Sequence, residues 1–199
     1  MASADPPGPI RRLLATDDTS LFACGDEEYD LFLRRYAGQN QERLFVGTTY
    51  VACDGPRVAG YVTVAVCQLE REGLPEAVAD DLPRYPLPGL RLARLAVDRD
   101  YGGRGLGHRL TAHALRVALL IRDAAGCVGV VVDALPSRTS FYAELGFFEL
   151  DLVSGHSAVR PQPVAMFLPI ATVVAASLSG AEPAEFDTLL DDRAERPRD

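Results

Sequence analysis

Four glycines crowd into six residues at Gly102, Gly103, Gly105 and Gly107. A short apolar run precedes them. Leu90, Leu92, Leu95 and Val97, with Arg91 and Arg94 set between, read as a partly buried strand that Asp98-Arg99-Asp100 stops. Behind them Leu106, Leu110, Ala114, Val117, Leu120 and Ile121 recur at helical spacing and share one face. A glycine cluster alone could be a flexible loop, but a strand, a glycine loop and a helix in that order read as an anion site. The first turn of a helix leaves N–H groups unpaired and carries roughly half a positive charge. Glycines without Cβ atoms let a phosphate approach that backbone closely. Arg99, Arg104 and Arg109 add formal charge around the same point. The chemistry expected of this stretch is capture of a pyrophosphate.

Spacing excludes the commoner phosphate loops. The chain contains no lysine, so it has no Gly-Lys-Ser or Gly-Lys-Thr of a nucleotide hydrolase. A dinucleotide fold needs Gly-x-Gly-x-x-Gly early in a βαβ unit, whereas Gly103-x-Gly105-x-Gly107 lies mid-chain. Cys24, Cys53, Cys67 and Cys127 form no Cys-x-x-Cys pair and read as free thiols. His108, His113 and His156 have no zinc-binding spacing, so no metal is expected. His108 falls in the first turn of the long helix, within reach of a phosphate.

Arg94-Leu-Ala-Val-Asp98 followed by Gly102-Gly-Arg-Gly-Leu-Gly107 resembles the acetyl-CoA loop of the GNAT N-acetyltransferase superfamily. Ser140-Phe-Tyr-Ala-Glu-Leu-Gly-Phe147 resembles that superfamily's closing helix-and-strand element. One departure is Gly102, which stands where the loop usually opens with Gln or Arg. The resemblance implies an acetyl-CoA-dependent N-acetyltransferase that transfers directly, without an enzymic nucleophile. It implies a cofactor site of Leu95, Ala96, Val97, Arg99, Gly102, Gly103, Arg104, Gly105, Leu106, Gly107 and His108. Tyr142 matches the family's general acid, and no residue stands out as general base. In the superfamily the segment equivalent to 70–89 lies beside the acceptor, which makes Glu70, Glu72 and Tyr85 candidate acceptor contacts.

A narrower resemblance comes from Cys24-Gly, Leu33-Arg-Arg-Tyr-Ala37, Gln39-Asn-Gln41 and Val58-Ala-Gly-Tyr61, together with the strand motif. These look like the acetyltransferase toxins of type II toxin–antitoxin modules. That branch implies acetylation of the α-amine of aminoacyl-tRNA and a ribbon-helix-helix antitoxin as partner. Arg34, Arg35, Arg91, Arg94 and Arg99 then become candidates for tRNA phosphate contact, each adding salt dependence. The alternatives are an acetyltransferase for a small-molecule amine or a protein N-terminus, and a non-catalytic acetyl-CoA-binding module. The intact Tyr142 argues against the last.

The elements that must position these residues form one α/β domain. With 199 residues the chain has room for a single well-buried core. The GNAT fold expected of it is a mixed, mostly antiparallel sheet flanked by helices over 10–170. Residues 1–9 read as disordered and 171–199 as a C-terminal extension with an acidic tail. In order, the pattern predicts a strand at 10–15, a helix from Asp26 to about Gln41, and a hairpin of 44–53 and 58–69. A loop at 70–89, the central unit, and a continuous apolar strand at 127–133 follow. A short helix through Glu144 and an antiparallel pair at 147–152 and 164–170 close the domain. A homodimer is an open possibility. No apolar run approaches the ~18 residues that span a bilayer, and the start carries no secretory pattern, so a cytoplasmic protein is expected. Net charge is −8, but residues 31–181 hold 15 arginines against 14 acids. The body is near neutral, and overall acidity does not exclude a polyanionic partner.

Overall fold

The computed structural model describes residues 7–150 and 162–178. The end of the strand predicted to reach Leu152 and the acidic tail lie outside them. Part of the N-terminal segment expected to be disordered is held. Gly8 N–H donates to Cys53 O, and the Arg109 guanidinium takes the carbonyls of Pro7 and Gly8.

β1 (Arg11–Arg12) is shorter than predicted, because Asp17 folds the chain back by accepting from Leu14 N–H and pairing Arg11. Asp26 caps α1 (Glu27–Leu31), whose first-turn acids suit the helix dipole. Helical backbone continues through a π turn at Phe32–Tyr36, α2 (Ala37–Gln39) and a second π turn at Asn40–Leu44. It overruns the predicted end and takes Leu44 from the expected strand. Phe45 closes it at φ 53°, so β2 (Thr48–Asp54) starts late. A turn at Gly55 leads to β3 (Arg57–Leu69). The predicted loop then holds a short α3 (Glu76–Ala79). β4 (Leu87–Val97) begins early because Leu87–Gly89 pair with the end of β3. The central helix α4 (Leu106–Ala125), β5 (Gly129–Ala134), α5 (Thr139–Glu144) and β6 (Phe148–Glu149) follow. β7 (Val164–Pro169) and α6 (Ile170–Leu178) complete the described chain. No helix among the described residues is long and apolar enough to cross a membrane.

The strands form one sheet, β1-β2-β3-β4-β5-β7-β6, antiparallel throughout except between β4 and β5. This is the mixed, mostly antiparallel architecture expected. Strand alternation sends Val62, Val64, Leu90, Leu92, Val130 and Val132 into a core with α4, α5 and α6. On the opposite face Val51, Val58, Tyr61 and Ala96 meet Phe22, Phe32, Leu33 and Ala37. Gly60 sets the seat of α4, since a Cβ there would lie 3.0 Å from both Leu106 and Leu110. That close approach brings the start of α4 down onto the sheet.

The buried face of α4 is wider than the apolar spacing implies and includes Thr111 and His113. His113 lies 4.4 Å from the Tyr50 ring, and its Nε2 has no hydrogen-bond partner among the described residues. Burial first, then the charge of Arg116, lowers its pKa from 6.5 to about 4. The neutral form is therefore the folded form. Its stability contribution is intact above pH 6.5 and is lost as pH falls through about 4. The loss should reach about 2 kcal/mol by pH 5. Melting curves from pH 7.5 to 4.5 should show a shallower acid limb for His113→Leu than for wild type. Parallel limbs would remove His113 from the explanation.

Candidate active site

β4 and β5 part company, and the cause is one residue. Pairing across them covers Leu90↔Val130 to Leu92↔Val132 and stops. On the other side of β4, Thr63 pairs Arg94 while Val64 pairs Leu92, so Ala93 is an extra residue in a bulge. Bulges bend a strand and increase its twist. From Arg94 onward β4 follows β3 and leaves β5, opening a gap in the middle of the sheet. Asp98 N–H donates to Ala59 O on β3. By strand alternation the N–H groups of Leu95 and Val97 point the other way, into the gap. A cavity of about 750 Å³ occupies it.

The glycine loop closes one end of this cavity. The Asp98 carboxylate is buried and accepts from Ala23 N–H, Asp100 N–H and Arg57, which fixes the end of β4. Gly103 and Gly105 take left-handed backbone, φ 70° and 75°, and Gly105 is the N-cap of α4. The first backbone bond of α4 runs from Arg109 N–H to Gly105 O. The N–H groups of Leu106, Gly107 and His108 thus have no acceptor in the helix. A Cβ built on Gly103 or Gly105 would meet no atom within 4 Å among the described residues beyond its chain neighbours. Open space in front of unpaired N–H groups at a helix start fits a pyrophosphate. Arg109, expected to charge this point, is turned away to Pro7 and Gly8.

Tyr142 lines the same cavity from α5, buried and packed edge-on between Phe141 and Phe147. Burial, and next the nearby Tyr29 phenol, push its pKa well above the ordinary 10, with Arg138 opposing. Its hydroxyl has no hydrogen-bond partner among the described residues and holds its proton at neutral pH. A proton donor, an open N–H edge and an anion cradle thus share one cavity.

Of the residues singled out in the sequence, Leu95, Ala96, Val97, Arg99, Gly102, Gly103, Gly105, Leu106, Gly107 and His108 line the cavity with Tyr142. Arg104 stands at its rim over the Tyr101 ring. Arg94 also lines it, paired with Glu28 at 2.9 Å and set over the rings of Tyr29 and Phe32. Arg91 pairs with Asp133 and does not line it. Arg34 and Arg35 are exposed on the first π turn, outside the cavity. Glu70, Glu72 and Tyr85 are exposed near the opposite end of β4, because the β3–β4 ladder runs on to Leu69↔Leu87. The structure does not bring these three to the cavity. Reading from the sequence alone missed the wall of Cys24, Gly25, Asp26 and Tyr29, and Ser137 and Arg138 opposite. The available signals were the Gly25-Asp26 helix entry and the Pro136-Ser137 helix start directly after an apolar strand.

Residues 46–149 match the acetyltransferase (GNAT) domain family. The chain is 32% identical over 138 residues to a tRNA-acetylating toxin of Mycobacterium tuberculosis, spanning 69% of this chain and 82% of that protein. The solved structure of AtaT complexed with acetyl-methionyl-tRNAfMet superposes with TM-score 0.74 at 30% identity, covering 84% of this chain and 98% of that one. A tyrosine-to-phenylalanine mutant of AtaT, bound to the C-terminus of the antitoxin AtaR and acetyl-CoA, superposes with TM-score 0.68 at 27% identity. It covers 86% of this chain and 98% of its own. With its sheet opened at the β4 bulge, its glycine cradle and its buried tyrosine, the chain belongs to the GNAT acetyltransferase family.

Proposed function

We propose that this acetyltransferase moves the acetyl group of acetyl-CoA onto the free α-amine of aminoacyl-tRNA. The observation that carries the chemistry is the meeting of Tyr142, the Leu95 and Val97 N–H groups and the start of α4 in one cavity. Acetyl-CoA, when bound, supplies an acyl group activated as a thioester. The N–H groups of Leu106, Gly107 and His108 would hold its pyrophosphate. Leu95 and Val97 offer N–H donors that polarise a carbonyl oxygen laid along β4. Tyr142 keeps a proton for the departing sulfur, since its phenol stays neutral. The acceptor amine must arrive neutral, and the chain needs no nucleophile of its own.

Support for the acceptor comes from the relatives, which include a tRNA-acetylating toxin and a toxin solved with acetyl-methionyl-tRNA. A relative solved with the C-terminus of its antitoxin supports an antitoxin partner for this chain, and the ribbon-helix-helix type is what the sequence resemblance implies. The exposed Arg34 and Arg35, with Arg94 and Arg99 at the cavity, are the arginines offered to tRNA phosphates. Labelled acetyl-CoA is given with bulk charged tRNA, and uncharged tRNA serves as control. Label should enter the charged pool only, and the transfer should weaken steeply with salt. Absence of label, with acetyl-CoA binding confirmed separately, would redirect the acceptor to a small amine or a protein N-terminus.

A further inference from the structure

Three arginines flank the glycine loop, all of them exposed and each placed differently. Arg109 donates to the Pro7 and Gly8 carbonyls at 3.1 Å each. Arg99 lies against the chain at Gly25, where a Cβ would come within 2.9 Å of its guanidinium. Of the three, Arg104 is the one set over an aromatic ring among the described residues. It is exposed, has no carboxylate partner among the described residues, and its guanidinium stands 5.9 Å from the centre of the Tyr101 ring.

Tyr101 is held far more firmly than a rim residue requires. It is buried, and its hydroxyl donates to Asp54 Oδ2 at 2.8 Å. Arg57 also lies over its ring at 5.5 Å. Arg57 is itself pinned by Asp98 Oδ1 at 3.1 Å and Asp100 Oδ2 at 2.7 Å. The turn between β2 and β3, the end of β4 and the glycine loop are thereby tied into one frame with the Tyr101 ring at its centre. A guanidinium resting on a fixed ring is attracted to it and samples fewer rotamers. It then loses less freedom on meeting an anion.

We infer that Tyr101 is a positioning residue, holding Arg104 at the cavity rim to read the outermost anionic group of the cofactor, the ribose 3′-phosphate of coenzyme A. This rests on the acetyl-CoA reading above. The inner phosphates have the N–H groups of Leu106, Gly107 and His108, within the cavity. Arg104 stands outside that lining, beside Tyr101, Gly103 and Gly105, which belong to it. A cation there meets the solvent end of the ligand. A phosphate monoester at that end carries between one and two negative charges near neutral pH.

Calorimetric binding of coenzyme A and of dephospho-coenzyme A, which lacks only that phosphate, separates the possibilities. Wild type should prefer coenzyme A. Arg104→Gln should weaken coenzyme A about fivefold, the upper range for an exposed charge pair, and leave dephospho-coenzyme A unchanged. Tyr101→Leu should remove the same increment, and combining the two should add nothing. Asp54→Asn, which alters only the acceptor of the phenol, should give a smaller loss confined to coenzyme A. It decides the positioning role should Tyr101→Leu not fold, and binding unchanged in it would then remove that role. Equal weakening of both ligands by Arg104→Gln, or no weakening, overturns the inference. Wild type that binds neither ligand overturns the acetyl-CoA reading instead.

Discussion

Tyr142→Phe should lower turnover by roughly 10²-fold or more, the usual range for loss of a general acid, while acetyl-CoA binding should stay close to wild type. The separation of the two effects follows from how the ring is held. Phe141 and Phe147 pack edge-on against it at centroid distances of 5.0 and 5.6 Å, and phenylalanine keeps both contacts. The hydroxyl has no hydrogen-bond partner among the described residues, so its removal orphans no donor or acceptor there. What is lost is one proton at the cavity wall. Burial keeps that proton in place above the ordinary phenol range, so wild-type turnover should not fall as pH approaches 10. Single-turnover transfer and acetyl-CoA titration, each run on both proteins, provide the check. Binding lost in step with turnover would make Tyr142 a packing residue, and unchanged turnover would remove it from the chemistry.

Most of the glycine-loop end of the cavity was legible in the sequence because it is local. Asp98, the glycine cluster and the periodic face of α4 are contiguous, and helix starts and glycine turns are set by near neighbours. The gap that makes a site of them is not local. It depends on Ala93 being the extra residue between Thr63↔Arg94 and Val64↔Leu92, a matter of register against a strand 30 residues away. Nothing about an alanine in an apolar run announces that. The misplaced acceptor candidates have the same origin. Glu70, Glu72 and Tyr85 belong to the segment that leads into β4, and the full length of that strand separates them from the glycine loop. Tyr29 shows the converse. It reads as one more apolar position of an amphipathic helix, and only the folded chain sets it in the cavity wall, with Arg94 over its ring. Arg109 fails for a related reason, since its guanidinium finds carbonyls a hundred residues away in sequence.

Gly105→Glu should abolish acetyl-CoA binding, with affinity falling by roughly 10²-fold or more, since a like charge set against a phosphate repels it. Two effects combine, and a companion variant separates them. Gly105 sits at φ 75°, where any L side chain is strained by about 1–2 kcal/mol. Gly105→Ala incurs that strain alone, because its Cβ enters open space among the described residues. It should lower the melting temperature and weaken binding modestly. The glutamate adds a carboxylate in front of the Leu106, Gly107 and His108 N–H groups, where it occupies the anion position itself. Its folded state should be no less stable than that of the alanine variant, since an acid at a helix start is favoured. Stability and binding therefore move in opposite directions from Ala to Glu. Calorimetric titration paired with thermal melts reads both. If the glutamate variant binds acetyl-CoA as well as the alanine variant does, the phosphates lie elsewhere and the cradle is only a turn.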